Sequence, residues 1–322
     1  MSTEGLSPYI SPAMLLSSNF GISWSTFPKP GASIAEQVAA QLDICSTLTA
    51  EMDTLANMHL RATQDVEQEF GPDLIITIRR NGWARFRLSA WPILQLVGGQ
   101  VSPSSANPPA WSTIPATAMI TEHSMLPLTG SSVPSASGPG PTAALIAPGY
   151  VDWANGRDGY LVQVTSINGF PVCGIDQSAS VGDSFLHVDD ITGWWLGTGS
   201  GARGVIYDPP FRESVTVIGA TPDTAGAISG SGTLSLTTPL QFAHAPLVGS
   251  TSQADQRILL SAMPPALIQA GYYFATFYGL MRGATAAVMQ SGRGGAAPSS
   301  AKAAADWYEL GKATVSRFAR VF

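Results

Sequence analysis

Four residues have types and spacing that could hold a metal ion: His187, Asp189 and Asp190, with His244 further along. On a strand, His187 and Asp189 at i and i+2 share one face. Imidazole and carboxylate together suit zinc or a related ion. The run Asp189-Asp190-Ile-Thr-Gly193 also reads as turn chemistry, since Asp side chains bond backbone amides two residues on. Gly199-Ser-Gly-Ala-Arg-Gly204 matches the GxGxxG of phosphate cradles. A cradle needs a helix N-terminus, and this run enters Val205-Ile-Tyr207, a strand. It reads as a turn between strands. Asp152, Arg157 and Asp158 flank Asn155-Gly156 and read as loop polar residues. No GxSxG, HExxH or P-loop spacing occurs, so nucleophilic and metal hydrolysis have no anchor. The expectation is a protein without catalytic residues, metal or cofactor, and not an enzyme.

Arg79, Arg80, Arg85 and Arg87 surround Asn81-Gly82. Such a basic hairpin tip suits contact with an acidic subunit or with phosphates, or forms a charged edge that discourages sheet aggregation. Cys45 and Cys173 lie far apart with no CxxC spacing, which excludes a disulfide framework or zinc knuckle.

Several elements must position these groups. Ser33 with Glu36 has capping-box spacing. Apolar residues at Ile34, Val38, Leu42, Cys45, Leu48, Met52, Leu55, Ala62, Val66 and Phe70 follow at helical steps. One amphipathic helix is therefore predicted from Ser33 to Phe70, stopped by Gly71-Pro72, with a break near Thr47–Thr49 as the alternative. Leu74–Arg80 and Trp83–Leu88 flank Asn81-Gly82, the strongest short hairpin signal. Trp91-Pro92-Ile onward starts a third extended segment. Ser112–Pro115, Ala144–Ala147 and Gly159–Pro171 read as further strands, and residues 129–142 as a loop. From 172 to 250 the segments are short and β-like: Ser184–Val188, Gly204–Tyr207, Glu213–Ile218 and Thr233–Thr237. Pro264-Pro265 opens an apolar helix to Met281. A last helix covers Ala301–Phe322, with Trp307, Leu310, Thr314, Phe318 and Val321 on one stripe.

The predicted class is α+β: a helical core with a β-hairpin and small sheet, interrupted by an inserted small all-β domain. Residues 1–32 form an N-terminal arm whose aromatics bury against a neighbour. Residues 33–171 are the first part of the core, 172–250 the β module, and 251–322 the helices completing the core with a basic tail.

Composition narrows the function classes. Apolar content of 45% is that of a folded protein, while charged content of 12% is about half the usual share. A surface so poor in charge suits an assembly component covered by neighbours. The net charge of −6 argues against a sequence-reading DNA binder. Residues 261–322 hold Arg282, Arg293, Lys302, Lys312, Arg317 and Arg320 against Asp306 and Glu309, a net of +4, leaving −10 for the rest. That end suits an acidic partner. No signal peptide is read at the start of the chain. The uncharged run Pro264–Met281 is long enough for a membrane span, but its prolines, Gln269, Gly271 and tyrosines favour a buried or interfacial helix.

The order of elements carries a resemblance. A helical stretch, a hairpin ending in Trp91-Pro92-Ile, then Trp111-Ser-Thr-Ile-Pro115, and C-terminal helices of the type Pro264-Pro-Ala-Leu-Ile-Gln-Ala-Gly-Tyr-Tyr resemble head-to-tail adaptor (connector) proteins of long-tailed bacteriophages. Val181-Gly-Asp-Ser-Phe-Leu-His-Val-Asp-Asp and Leu236-Thr-Thr-Pro-Leu-Gln-Phe-Ala-His-Ala look like a β module of such virion proteins. The resemblance implies a twelve-subunit ring in the virion neck, assembled in the bacterial cytoplasm. Its partners would be further copies of itself, the portal protein, and a head-closure or tail-terminator protein. Double-stranded genome DNA would pass through the channel without sequence reading, and no membrane is involved. Lys302, Trp307, Lys312, Arg317, Phe318, Arg320 and Phe322 are the expected portal-docking residues, and Arg79, Arg80, Arg85 and Arg87 the expected subunit contacts. The alternative is a tail-tip or fibre-type protein that binds a host glycan on Trp194, Trp195 and Tyr207. An unrecognised secreted hydrolase would need a signal peptide and a nucleophile.

Overall fold

The computed structural model describes residues 7–18, 22–69, 77–78, 83–88, 92–103, 106–121, 143–150, 160–194, 202–246, 256–282 and 300–319. The protein is of mixed α+β class. The elements are α1 (Pro12–Leu16), α2 (Ile34–Ala56), β1 (Thr63–Glu69), β2 (Thr77–Ile78), β3 (Ala84–Arg87), β4 (Ile93–Pro103), β5 (Ser112–Pro115), β6 (Met119–Thr121), β7 (Ala143–Ile146), β8 (Tyr160–Asn168), β9 (Val172–Ile175), β10 (Phe185–Val188), β11 (Arg203–Asp208), β12 (Phe211–Pro222), β13 (Gly232–Leu236), β14 (Ile258–Ser261), α3 (Pro265–Met281) and α4 (Ser300–Val315). Two four-stranded sheets run β1-β8-β4-β5 and β2-β3-β7-β6. A closed barrel runs β10-β13-β12-β11-β14-β9.

The start of α2 follows from its sequence. The Ser33 amide donates to Glu36 Oε2 at 2.8 Å, and the Glu36 amide donates to Ser33 Oγ at 3.3 Å, a closed capping box. The end does not follow the predicted pattern. Asn57 takes a left-handed conformation (φ 53°) and its amide returns to Thr54 O, so α2 stops at Ala56, well short of Phe70. The segment Thr63–Glu69, read as helix, is strand β1, which pairs with β8 from Thr63↔Asn168 to Glu69↔Val162. Val66, assigned to the buried stripe, is 59% exposed. The stripe that α2 does bury is Val38, Gln41, Ile44, Cys45, Leu48, Met52 and Ala56. Gly71-Pro72 and the Asn81-Gly82 turn lie outside the described residues. β2 and β3 pair antiparallel with Ile78 opposite Ala84. A two-residue turn at Asn81-Gly82 would instead bring Ile78 opposite Arg85, so the strands are offset by one from that expectation.

The described residues of the N-terminal segment pack within their own chain rather than against a neighbour. Tyr9, Ile10, Met14, Leu15, Trp24 and Phe27 are buried within the chain's own largest apolar cluster. Tyr9 Oη donates to Asp53 Oδ1 at 2.7 Å and accepts from the Arg61 amide at 2.9 Å, clamping the turn after α2. Burial and the Asp53 charge push the Tyr9 hydroxyl pKa up, so it stays a donor.

The barrel extends past the predicted module boundary at 250. β14, in a stretch read as leading back to helix, pairs with both β9 and β11 and closes the ring. β9, also unread, supplies the other seam. Trp194 fills the interior with no exposure. A Cβ on Gly204 would lie 2.6 Å from the Trp194 ring. The last glycine of the GxGxxG run therefore serves close packing inside the barrel.

The C-terminal helices cover one another. Phe274 of α3 sits against Gly311 of α4, where a Cβ would come within 2.8 Å of its ring. Glu51 of α2 accepts from Tyr308 Oη at 2.6 Å and from Tyr278 Oη at 3.5 Å. This bond pushes the Tyr308 pKa up to about 12. α4 buries Ala304, Gly311 and Val315, while Leu310 is 49% exposed, so the stripe is rotated from the one read in sequence. The helices have no core of their own, because Phe170, Val172, Tyr207 and Leu259 from strand segments share their cluster. The apolar α3 is thus covered within its own chain. Among the described residues no helix is long and apolar enough to cross a membrane.

Candidate functional site

The four residues suspected of metal binding go to four separate places. His187 on β10 meets Asp176 through Nδ1 at 2.6 Å and Asp223 through Nε2 at 3.2 Å. Asp189, just beyond the same strand, turns away. Its Oδ1 accepts from the Gly174 amide at 2.7 Å, and its Oδ2 accepts from Arg257 at 2.9 Å and Ser7 Oγ at 2.8 Å. Asp190 Oδ1 accepts from the Thr192 amide at 3.0 Å and the Gly230 amide at 3.2 Å, the turn chemistry its sequence suggested. His244 lies fully buried between Asp208 (2.9 Å) and Glu213 (3.3 Å). Among the described residues no group of three or more His, Cys, Asp or Glu could hold a metal ion.

These clusters fasten the barrel. The Gln241 and Phe242 amides donate to Glu213 at 2.7 and 3.3 Å, so one carboxylate holds the whole return segment with His244. Ala179 and His244 exchange backbone hydrogen bonds on the other side. Burial pulls the pKa of both His187 and His244 down. The hydrogen bonds and charges of their carboxylate partners outweigh burial and raise it. The bonus from a raised histidine pKa is complete below the unfolded value near 6.5 and fades as pH climbs through the folded value. The thermal midpoint is therefore expected to fall between pH 6 and pH 8.5. His187→Gln combined with His244→Gln should flatten that slope in a thermal scan, and an unchanged slope would contradict it.

The expected docking residues divide. Trp307 rests on Tyr273 with ring centroids 5.4 Å apart, and Phe318 meets Phe170 edge-on at 6.5 Å. Both are part of internal packing. Lys312 and Arg317 are exposed on the outer face of the last turns. Lys302 lies on α4 with its side chain outside the described set, and Arg320 and Phe322 lie beyond it. Arg79 and Arg80 are also outside the described residues, as is the Arg87 side chain. Arg85 is half-buried on β3, opposite Thr77 and Leu145.

The aromatic platform predicted for a glycan is not assembled. Trp194 is sealed in the barrel, and Trp195 lies outside the described residues. Tyr207 does reach a surface, one that sequence reading did not identify. β11 and β12 present their outer wall toward α3. Two grooves of about 410 and 430 Å³ adjoin there, both lined by Tyr207, Arg212 and Pro265. The Arg212 guanidinium lies 4.8 Å above the Tyr207 ring and donates to its Oη at 3.2 Å. Phe211 stacks on Phe242 at 4.7 Å beside it. No family model, characterised protein or solved structure matches the chain. The surface bears guanidinium, aromatic and proline groups. The sequence signal available was Tyr207-Asp-Pro-Pro-Phe-Arg212, a turn that sets Arg212 opposite Tyr207.

Proposed function

We propose that the chain is a structural virion protein, a head-to-tail adaptor of a long-tailed bacteriophage. In this reading it forms an oligomeric ring in the neck, between the portal and the head-closure or tail-terminator protein, with DNA passing through. Helical elements from both ends of the chain form the scaffold, and the barrel is the insert between them. The observation that carries the reading is the Glu51 link from α2 to Tyr278 of α3 and Tyr308 of α4. It joins α2 from the first part of the chain to the C-terminal helices α3 and α4. The uses found for the suspected residues agree. Asp189, His187 and His244 hold the chain's own strands. The exposed Lys312 and Arg317 are the portal-facing cations.

Removing Ala301–Phe322 would strip α4 from Phe274 and unfold the scaffold, so deletion cannot isolate docking. Lys312→Glu with Arg317→Glu spares the packing. It is expected to give filled or leaking heads without tails, and normal virions from that variant would refute the docking role. Gold-labelled antibody against the chain should mark the neck of intact particles. Label at the tail end would select the receptor-binding alternative instead.

A further inference from the structure

Strands β11 and β12 sort their charges to opposite faces. Side chains alternate along a strand, and the acids Asp208 and Glu213 fall in step with Ile206 and Val215, which fill the barrel interior. His244 engages both acids there, at 2.9 and 3.3 Å. Arg203 and Arg212, the basic residues of the two strands, are exposed on the outer side. No ion pair to either is found among the described residues. The two adjoining grooves on this wall are thus lined by two cations and by no aspartate or glutamate, in a chain whose net charge is −6.

The cations are placed as well as unpaired. Arg212 is held over the Tyr207 ring and spends one N–H on Tyr207 Oη. The rest of its planar fork is left for an acceptor. In register, Arg203 faces Thr216 and Arg212 faces Tyr207, four positions further along β11. The two are therefore offset by about 13 Å along the strand. The grooves differ in character. The one that reaches Arg203 offers the hydroxyls of Ser214 and Thr216, and the one beyond Arg212 offers Pro209, Pro210 and Tyr272.

We propose that this wall binds an extended acidic peptide of a partner protein. Its carboxylates meet Arg203 and Arg212, and its neighbouring apolar side chains lie on Pro209, Pro210 and Tyr272. In an extended chain, residues four apart share a face and are separated by about 13 Å, which matches the offset of the two arginines. Guanidinium forks take carboxylates through paired hydrogen bonds. The barrel is closed, so the peptide does not add as a strand, and side-chain contacts carry the recognition. The inference stands on the groove's own chemistry and needs no particular place for the chain in a particle.

The test is fluorescence anisotropy of the full-length chain at low salt. The probe is a short fluorescein-labelled peptide with a glutamate block joined to a leucine block, made in both block orders. One order is expected to bind, and a version with glycine in place of leucine to bind more weakly. Arg203→Glu with Arg212→Glu should weaken binding at least ~10-fold. Arg203→Glu alone, at an exposed position, should also weaken it with the thermal midpoint unchanged, which separates lost binding from lost folding. Lys29→Glu makes the same change of charge at an exposed site elsewhere and should have no effect. The proposal is overturned if neither block order binds, if the arginine reversals bind as tightly as the unaltered chain, or if the glycine version binds equally well. A labelled oligothymidylate that binds the same wall more tightly than the peptide would overturn it too, in favour of a phosphate ligand.

Discussion

Phe274→Ala is expected to cost about 3–5 kcal/mol, the usual range for emptying a buried aromatic site. Phe274 is fully buried, lies against the bare backbone of Gly311, and meets Tyr308 edge-on at 5.6 Å. Its removal opens a void where α3 and α4 cross. It also loosens Tyr308, which reaches Glu51 of α2. Urea unfolding followed by far-ultraviolet circular dichroism measures the loss. Leu310→Ala is the control. Leu310 is 49% exposed, and its truncation should stay within about 0.5 kcal/mol. If the two variants behaved alike, the packed face of α4 would be misassigned.

Glu213→Ala is the second large effect. The side chain is buried and accepts from the Gln241 amide, the Phe242 amide and His244 Nε2. Alanine leaves the Gln241 and Phe242 amides without this acceptor and removes one of two carboxylates facing a fully buried imidazole. Breaking such a buried pair typically costs about 3–5 kcal/mol. Glu213→Gln keeps an oxygen for one amide and should recover part of the loss. Hydrogen exchange should show the amides of 240–245 opening in the alanine variant, while the α2 amides stay protected.

What could be read from sequence was what is decided locally. The Ser33–Glu36 box and the start of α3 at Pro264-Pro265 rest on contacts within a few residues, and the strands near 112–115, 143–146 and 160–168 carry a local β-like residue pattern even though their partners are distant. The end of α2 was hidden for two reasons. Its cap is Asn57, where a glycine would have been an obvious stop, and Ala62 and Val66 continue helical spacing by coincidence in a strand that is polar on both sides. β14 was hidden because Ile-Leu-Leu-Ser is a short apolar run, which periodicity cannot assign. Its role comes from closing a ring with β9, more than eighty residues earlier in the chain. The histidines were legible as unusual but not as fasteners. His187 finds Asp223 and His244 finds Glu213 across 36 and 31 residues, and nothing local predicts that pairing. The Arg212–Tyr207 contact depends on a turn that sets the two side chains face to face. The resemblance to adaptor proteins rested on element order. The aromatic N-terminal residues Tyr9, Trp24 and Phe27 and the apolar face of α3, which that order had turned toward neighbours, are buried inside the chain.

The mass of the purified full-length chain at low salt, with images of the same sample, tests the central claim most directly. A closed ring of twelve copies of a 33.6 kDa chain, disassembled by salt, is the expected result. A single 33.6 kDa species at every concentration, freely soluble and turning over a small molecule, would contradict it.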